Sequence, residues 1–238
     1  MGYGKMIRVF AGTGTGTDDY EAEITLEHSL KKNSSEEVEV VFMRNDKDPD
    51  NFFGNFNQKG WFTPFTGLRW AISEYCNFEG RAIYMDTDQV NFRDIAELNN
   101  MDLHGKPFGC RYNRLCVMVF DNEKMRGKVP PVSKQKKMAG NYTAQIYWTF
   151  LSEAAHFDDR WNCLDGEGRK PEDIYHLHFT DVPTQPWQPQ WAKDKGHKHR
   201  PHPRKDLVEI WKQYRDEALA NINSVSYTHL TLPTSNGV

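Results

Sequence analysis

The chain has 238 residues, with 30 Lys and Arg against 33 Asp and Glu, a net charge of −3, 38% hydrophobic and 26% charged residues. This is a soluble globular composition, long enough for one domain with a sizeable core. The near-neutral balance argues against nucleic acid as the partner, since phosphate binding needs a broad surplus of Lys and Arg, and no apolar run is long enough to span a membrane.

In chain order, Ile7-Arg8-Val9-Phe10-Ala11-Gly12 reads as a buried strand that ends on a glycine. A small-residue loop, Thr13 to Asp19, follows and can approach a ligand closely; no Gly-Lys-Ser/Thr follows its glycines, so it is not a P-loop. Tyr20, Ile24, Leu26 and Leu30 then recur at helical spacing, and Asn33-Ser34-Ser35 closes that helix. Val38–Met43 is a second strand. The order strand, helix, strand favours a parallel crossover unit. Residues 44–62 form a long polar and aromatic loop. Thr63-Pro64 predicts a helix start, with Phe65, Leu68, Ala71, Ile72 and Tyr75 on its apolar face as far as Cys76. Arg81–Met85 is a third strand and runs into Asp86-Thr87-Asp88. Further expectations are a strand at Leu115–Phe120, a helix from Asn141 to Ala155, a short strand at Tyr175–Phe179 and a helix from Asp206 to Asn223.

Residues 1–223 thus read as a single α/β domain. The stretch 224–238 carries no charged side chain and resembles a translated sequencing adapter, so it is expected to be an artefact or a disordered tail. The start of the sequence has no apolar signal core, and the four cysteines form no CxxC pair; both features point to the cytoplasm.

Asp86 and Asp88 stand at the carboxyl end of an apolar strand, where open α/β sheets collect ligands. Where the chain bends, both carboxylates can turn toward one divalent cation, and hard oxygen ligands suit magnesium or manganese. A polar turn after a buried strand is the plainer reading of Asp-x-Asp alone.

Arg81 to Asp88, with the continuation Asp94-Ile95-Ala96-Glu97-Leu98, resembles the metal-binding signature of family 8 glycosyltransferases, the group that includes glycogenin and bacterial galactosyltransferases. His178-Phe179-Thr180-Asp181-Val182-Pro183-Thr184-Gln185-Pro186-Trp187 resembles that family's H-F-x-G-x-x-K-P-W element, one residue longer, with Asp181 at the glycine and Gln185 at the lysine position. The resemblance covers roughly residues 7–190. It implies the GT-A nucleotide-diphospho-sugar transferase fold, a mostly parallel central sheet flanked by helices. It also implies a retaining, metal-dependent transfer from a nucleotide-sugar, a UDP-sugar by preference, to an unidentified glycan, lipid or protein acceptor.

Carried over residue by residue, Asp86, Asp88 and His178 would hold Mn2+ or Mg2+. Ala11, Gly12, Thr13, Tyr20, Arg69, Asp86, Gln185 and Trp187 would contact the donor. Gln185 supplies no charge, which leaves phosphate neutralisation to the cation or another base. The family's N-A-G-V strand motif is absent, with Arg114-Leu115-Cys116 in its place, and its D-Q-D element is not recognisable near Thr143-Ala144-Gln145. No catalytic nucleophile is implied.

A degenerate relative that binds nucleotide or glycan without turnover stays open. So does a haloacid-dehalogenase-type phosphatase, in which Asp86 would be the nucleophile and Asp88 the acid/base. The basic run Lys193 to Lys205 reads as a solvated loop or as an anion-facing segment for donor phosphates or acidic lipid at a membrane surface.

Overall fold

A computed structural model of the chain describes residues 6–17, 19–112, 114–138, 146, 151–187, 193–194, 196 and 198–230, with backbone alone at 151 and 223–230. The first strand, β1 (Ile7–Gly12), buries Ile7, Val9, Phe10 and Ala11. A strand with no polar face must be covered on both sides, and β1 lies inside the sheet. Helix α1 (Tyr20–Lys32) crosses over to β2 (Val38–Met43), which pairs with β1 in parallel register from Ile7↔Val38 to Gly12↔Met43. On its other side β1 pairs in parallel with β3 (Arg81–Asp86), so that Gly12 lies beside Asp86. The crossover unit is therefore present as the sequence predicts.

Beyond β3 the sheet continues with β6 (Arg114–Asp121), β5 (Phe108–Arg111) and β7 (Ala154–His156), giving the order β2-β1-β3-β6-β5-β7. Strand β6 is antiparallel to both of its neighbours, and β5 and β7 are parallel. The mostly parallel sheet has one reversed strand. A second sheet holds β4 (Gln89–Asn91), β9 (His176–His178) and β8 (Cys163–Leu164) in the order β4-β9-β8. It has its own core, in which Val90, Cys163, Leu177, Phe179 and Trp187 pack with Leu207 and Trp211 of the last helix.

Two expectations need correction. The segment 65–76 is not one helix: it is a 3-10 turn, Leu68–Ala71, followed by α2 (Ile72–Tyr75). The Thr63 hydroxyl pairs with that of Thr66 at 2.8 Å instead of capping a helix, and Gly67 follows. Local hydroxyl bonding and a glycine both compete with helix formation there. The helix drawn from Asn141 to Ala155 lies mostly outside the described residues, but Ala154 and Ala155 belong to β7, held by pairing with Phe108 and Gly109. The short strand expected at 175–179 is present as β9 in the small sheet. Two further helices, α3 (Ile95–Asn99) and α4 (Val132–Gln135), are brief, and Asp94 caps the first by accepting from the Ala96 amide at 3.0 Å. The last helix, α5 (Lys205–Leu230), continues seven residues past Asn223. It docks on α1, where Glu217 accepts from His28 at 2.9 Å and Lys32 at 2.7 Å.

Gly12 is required by close approach. A Cβ there would lie 2.7 Å from the Phe65 ring and 2.8 Å from the Tyr84 hydroxyl. Gly12→Ala is expected to destabilise the protein by about 1–3 kcal/mol through overpacking, read as a lower thermal midpoint. Because the displaced hydroxyl is bonded to Asp86, the same change disturbs the end of β3.

Candidate metal and donor site

The site forms where β3 leaves the main sheet. Thr87 is buried, and both its amide, at 3.1 Å, and its hydroxyl, at 2.6 Å, donate to the Gly12 carbonyl. That double bond fastens the Asp-Thr-Asp bend to the end of β1. Strand β4 starts immediately afterwards and pairs antiparallel with β9 in the register Gln89↔His178 to Asn91↔His176. The Phe179 amide donates to the Asp88 carbonyl at 3.0 Å, which extends the ladder by one step. Two three-residue strands thus bring His178 beside Asp88 across a separation of ninety residues in the chain.

Asp88 Oδ1 lies 3.2 Å from His178 Nε2, without the alignment of a hydrogen bond. This oxygen is buried and has no hydrogen-bond partner. Asp88 Oδ2 accepts from the Gln185 side-chain amide at 3.0 Å, and the same nitrogen donates to the Phe179 carbonyl at 2.9 Å. The Nδ1 edge of His178 faces Asn162 Oδ1 at 3.3 Å. A proton on Nδ1 donated there leaves the Nε2 lone pair free for a cation, the arrangement that fixes metal-binding imidazoles.

Asp86 Oδ1 accepts from the Tyr84 hydroxyl and lies 3.4 Å from Arg69 Nη2. Arg69 also donates to the carbonyls of Leu115 and Thr66 and stacks over the Tyr84 ring, 4.3 Å from its centre. Burial pushes the Asp86 carboxyl above its ordinary 3.8, Arg69 opposes this, and Asp88 adds to the rise. Burial works against charging His178, but the Asp88 carboxylate and Cys116 outweigh it and hold the imidazole well above 6.5.

Among the described residues, the group with ligand atoms all within 4.8 Å of one another is Asp86, Cys116 and His178; the expected ligand Asp88 is not of that group and meets it through His178, 3.2 Å away. An orphaned buried carboxylate oxygen, a second carboxylate and an imidazole make a donor set that fits a divalent cation. Cation binding must then displace the proton held on the imidazole. The sign follows from the raised pKa: below it the imidazolium competes, so apparent affinity falls as pH is lowered through that value. Calorimetric titration with Mn2+ in two buffers of different ionisation enthalpy is expected to show net proton release near neutral pH.

The other predicted residues are placed as follows. Ala11, Gly12 and Thr13 are buried at the end of β1; the Thr13 hydroxyl donates to Glu23 at 2.6 Å and its amide to the Met43 carbonyl at 3.2 Å. Tyr20 is 45% exposed at the first turn of α1. Gln185 is buried with its amide nitrogen committed to Asp88 and Phe179. Trp187 is buried, stacks on Trp211 with centroids 5.3 Å apart, and points its indole N–H at Asp19 Oδ1, 3.4 Å away. Of the basic run, Lys195 and His197 lie outside the described residues, as do Thr143, Ala144 and Gln145. Within the rest, His199 is 3.0 Å from the Gln185 carbonyl, His202 pairs with Asp165 at 2.9 Å, and Arg204 pairs with Asp206.

Two residues escaped the sequence reading. Asp19 is buried and accepts from the Gly14 amide at 2.8 Å; burial, with Asp88 adding, pushes its carboxyl up. Its position before the first helix reads as an N-cap, yet its side chain makes no capping bond. Cys116 gives no signal of its own, because a lone cysteine in a strand reads as core.

A cavity of about 580 Å³ opens beside the loop after β1, bounded by Thr15, Asn45, Asp46, Phe56 and Pro64. It lies beyond the carboxyl ends of the parallel strands, where α/β sheets bind ligands.

No protein-family model and no curated protein sequence matches the chain. Solved structures do: the architecture is that of the GT-A glycosyltransferases. Apo glycosyltransferase GlyE of Streptococcus pneumoniae TIGR4 superposes with a TM-score of 0.62 at 15% identity, over 98% of this chain and 66% of GlyE. Galactosyltransferase LgtC, in complex with donor and acceptor sugar analogs, gives 0.55 at 14% identity over 89% of this chain and 96% of LgtC. The apo bifunctional glycosyltransferase WbbM gives 0.56 at 13% identity over 87% of this chain and 51% of WbbM. At these identities the likeness is one of fold. No helix among the described residues is long and apolar enough to cross a membrane.

Proposed function

We propose that the protein is a metal-dependent glycosyltransferase that moves a sugar from a nucleotide-sugar, a UDP-sugar by preference, to a glycan, lipid or protein acceptor with retention of configuration, as a member of family 8. The observation that carries this reading is that His178 lies 3.2 Å from the buried, unpartnered Asp88 Oδ1 and also offers a ligand atom within 4.8 Å of one from Asp86. In this reading those three side chains hold Mn2+ or Mg2+. The bound ion supplies positive charge against the negative charge that develops on the leaving diphosphate.

The chain's own groups do the rest. Gln185 holds one oxygen of Asp88 in place and leaves the other for the cation. Tyr84 and Arg69 fix the Asp86 carboxylate in the same way. Thr15, Asn45 and Asp46 line the cavity after β1, whose volume is in the range of pockets that take a small organic ligand, and in this reading Ala11, Gly12, Thr13 and Tyr20 contact the donor from the neighbouring end of β1 and start of α1. Arg69 lies 3.4 Å from Asp86 and in this reading also reaches the donor, while Trp187 supports the donor side from the core. The same reading keeps the protein in the cytoplasm and independent of nucleic acid, with any membrane contact peripheral and through residues 193–205.

Thermal midpoints with UDP, with and without Mn2+, test binding; release of UDP from a panel of UDP-sugars tests turnover. Stabilisation by UDP that requires the metal, together with UDP release from one sugar donor, supports the proposal. A second reading, nucleotide binding without turnover, is favoured by one observation: the Gln185 amide is committed to Asp88 and Phe179 and is not open to a phosphate. Metal-dependent binding without UDP release across the panel would select it. Stabilisation by UDP that ignores the metal contradicts the metal-dependent reading.

A further inference from the structure

We propose that Cys116 is a ligand to the same cation, so that the site takes thiophilic ions such as Zn2+ or Co2+ more tightly than Mn2+. The inference rests on the reading that Asp86 and His178 hold a cation and adds a donor that the sequence resemblance does not contain. Strand β6 is antiparallel to β3, and their last paired residues are Met85 and Val117. One step further along both strands stand Asp86 and Cys116, directly across from each other at the open end of the pairing. The Sγ atom, a carboxylate oxygen of Asp86 and a ring nitrogen of His178 all lie within 4.8 Å of one another. Gln89, the first residue of β4, donates to the Cys116 carbonyl at 2.9 Å, which ties this backbone to the bend that carries Asp88.

Two further observations point to an ion. His178 is 95% buried, and Asp88 Oδ1, 3.2 Å from its Nε2, is buried without a hydrogen-bond partner. The other three cysteines are buried, whereas Cys116 is partly accessible. Of these, Cys110 and Cys163 are turned to backbone carbonyls. Burial pushes the Cys110 thiol up to about 12 and the Cys163 thiol to about 11. They are the inert kind, and Cys116 is the one placed for chemistry.

Coordination forms a sulfur–metal bond and breaks the S–H bond, and the proton leaves to buffer. No oxidant is involved. A donor set of carboxylate, imidazole and thiolate suits zinc and cobalt, while manganese and magnesium favour oxygen donors and gain least from a thiolate.

The test is titration of the full chain with Co2+ in thiol-free buffer, read by absorption. Expected is visible ligand-field absorption together with a near-ultraviolet sulfur-to-cobalt charge-transfer band. Cys116→Ser is expected to lose the charge-transfer band and keep the visible absorption. Its preference for Zn2+ over Mn2+, measured by competition, should fall by about tenfold or more, the lower end of what losing even an outer-shell partner costs. Cys116→Ala checks the same loss without a hydroxyl.

Visible absorption without the near-ultraviolet band in the unaltered chain would overturn the role of Cys116 and leave the carboxylate and histidine site standing. A band that survives in both variants would assign the sulfur to another cysteine and overturn it too. No cobalt absorption at all would remove the cation site itself.

Discussion

Replacing Asp88 by alanine or asparagine is expected to abolish the Mn2+-dependent stabilisation by UDP and to lower sugar transfer by about 10²–10³-fold or more, the size seen when one preorganised electrostatic contact to a developing charge is removed. Asp88 is the residue on which the two halves of the site meet. One of its oxygens is held by Gln185 and the other faces His178 without a hydrogen bond. Asparagine keeps the shape and can still accept from Gln185, but it brings no charge to a cation. The expected signature is therefore a loss of metal response with an intact far-ultraviolet spectrum and a thermal midpoint in the absence of metal close to the parent. Melting curves with and without Mn2+ and UDP check it. A full metal-dependent shift in Asp88→Ala would show that this carboxylate is not a ligand.

Trp187→Ala is expected to cost about 3–5 kcal/mol of stability, the usual loss when a buried tryptophan is truncated to alanine. Its ring stacks on Trp211 at an interplanar angle of 16° and is 8% exposed, and its indole N–H faces Asp19. The stack joins the segment after β9 to α5, and through Ala22 to α1. For a chain of this length a loss of that size lowers the midpoint by about 6–20 °C. Trp187→Phe keeps most of the apolar contact and is expected to recover over half of the loss. Circular dichroism melts of the two variants test this. A Trp187→Ala midpoint within 2 °C of the parent, taken as about the smallest shift one kcal/mol gives, would mean that the ring is not part of the core.

The first half of the fold was legible in the sequence because its elements are long and strongly patterned. Strands β1 and β3 are mostly apolar runs, and α1 lies between β1 and β2 with clear helical spacing and a polar stop at Asn33. The carboxylate pair was visible for the same reason, since it stands where a patterned strand ends. The connection that completes the site was not visible. Strands β4 and β9 have three residues each, too few to show alternation, and their paired residues stand 85 to 89 positions apart in the chain. His178 emerged through its surrounding motif, not through any periodicity.

The segment 65–76 misled because its apolar spacing is helical while its local hydroxyl bonding and Gly67 shorten the helix to one turn. Gln185 and Trp187 were read as donor contacts from their motif positions, and both side chains are turned inward, to Asp88 and to Trp211. Cys116 and Asp19 became notable only once the third dimension placed them beside the pair. Burial against a like charge is a tertiary property, and a single sequence carries no mark of it.

The most direct test is a crystal structure of the protein with Mn2+ and UDP, with the ion located by its anomalous scattering. Expected is a manganese peak in ligation range of Asp86, Asp88 and His178, with the diphosphate of UDP on its open side. UDP bound at the end of β1 with no ion between those three side chains, or manganese held elsewhere, would contradict it.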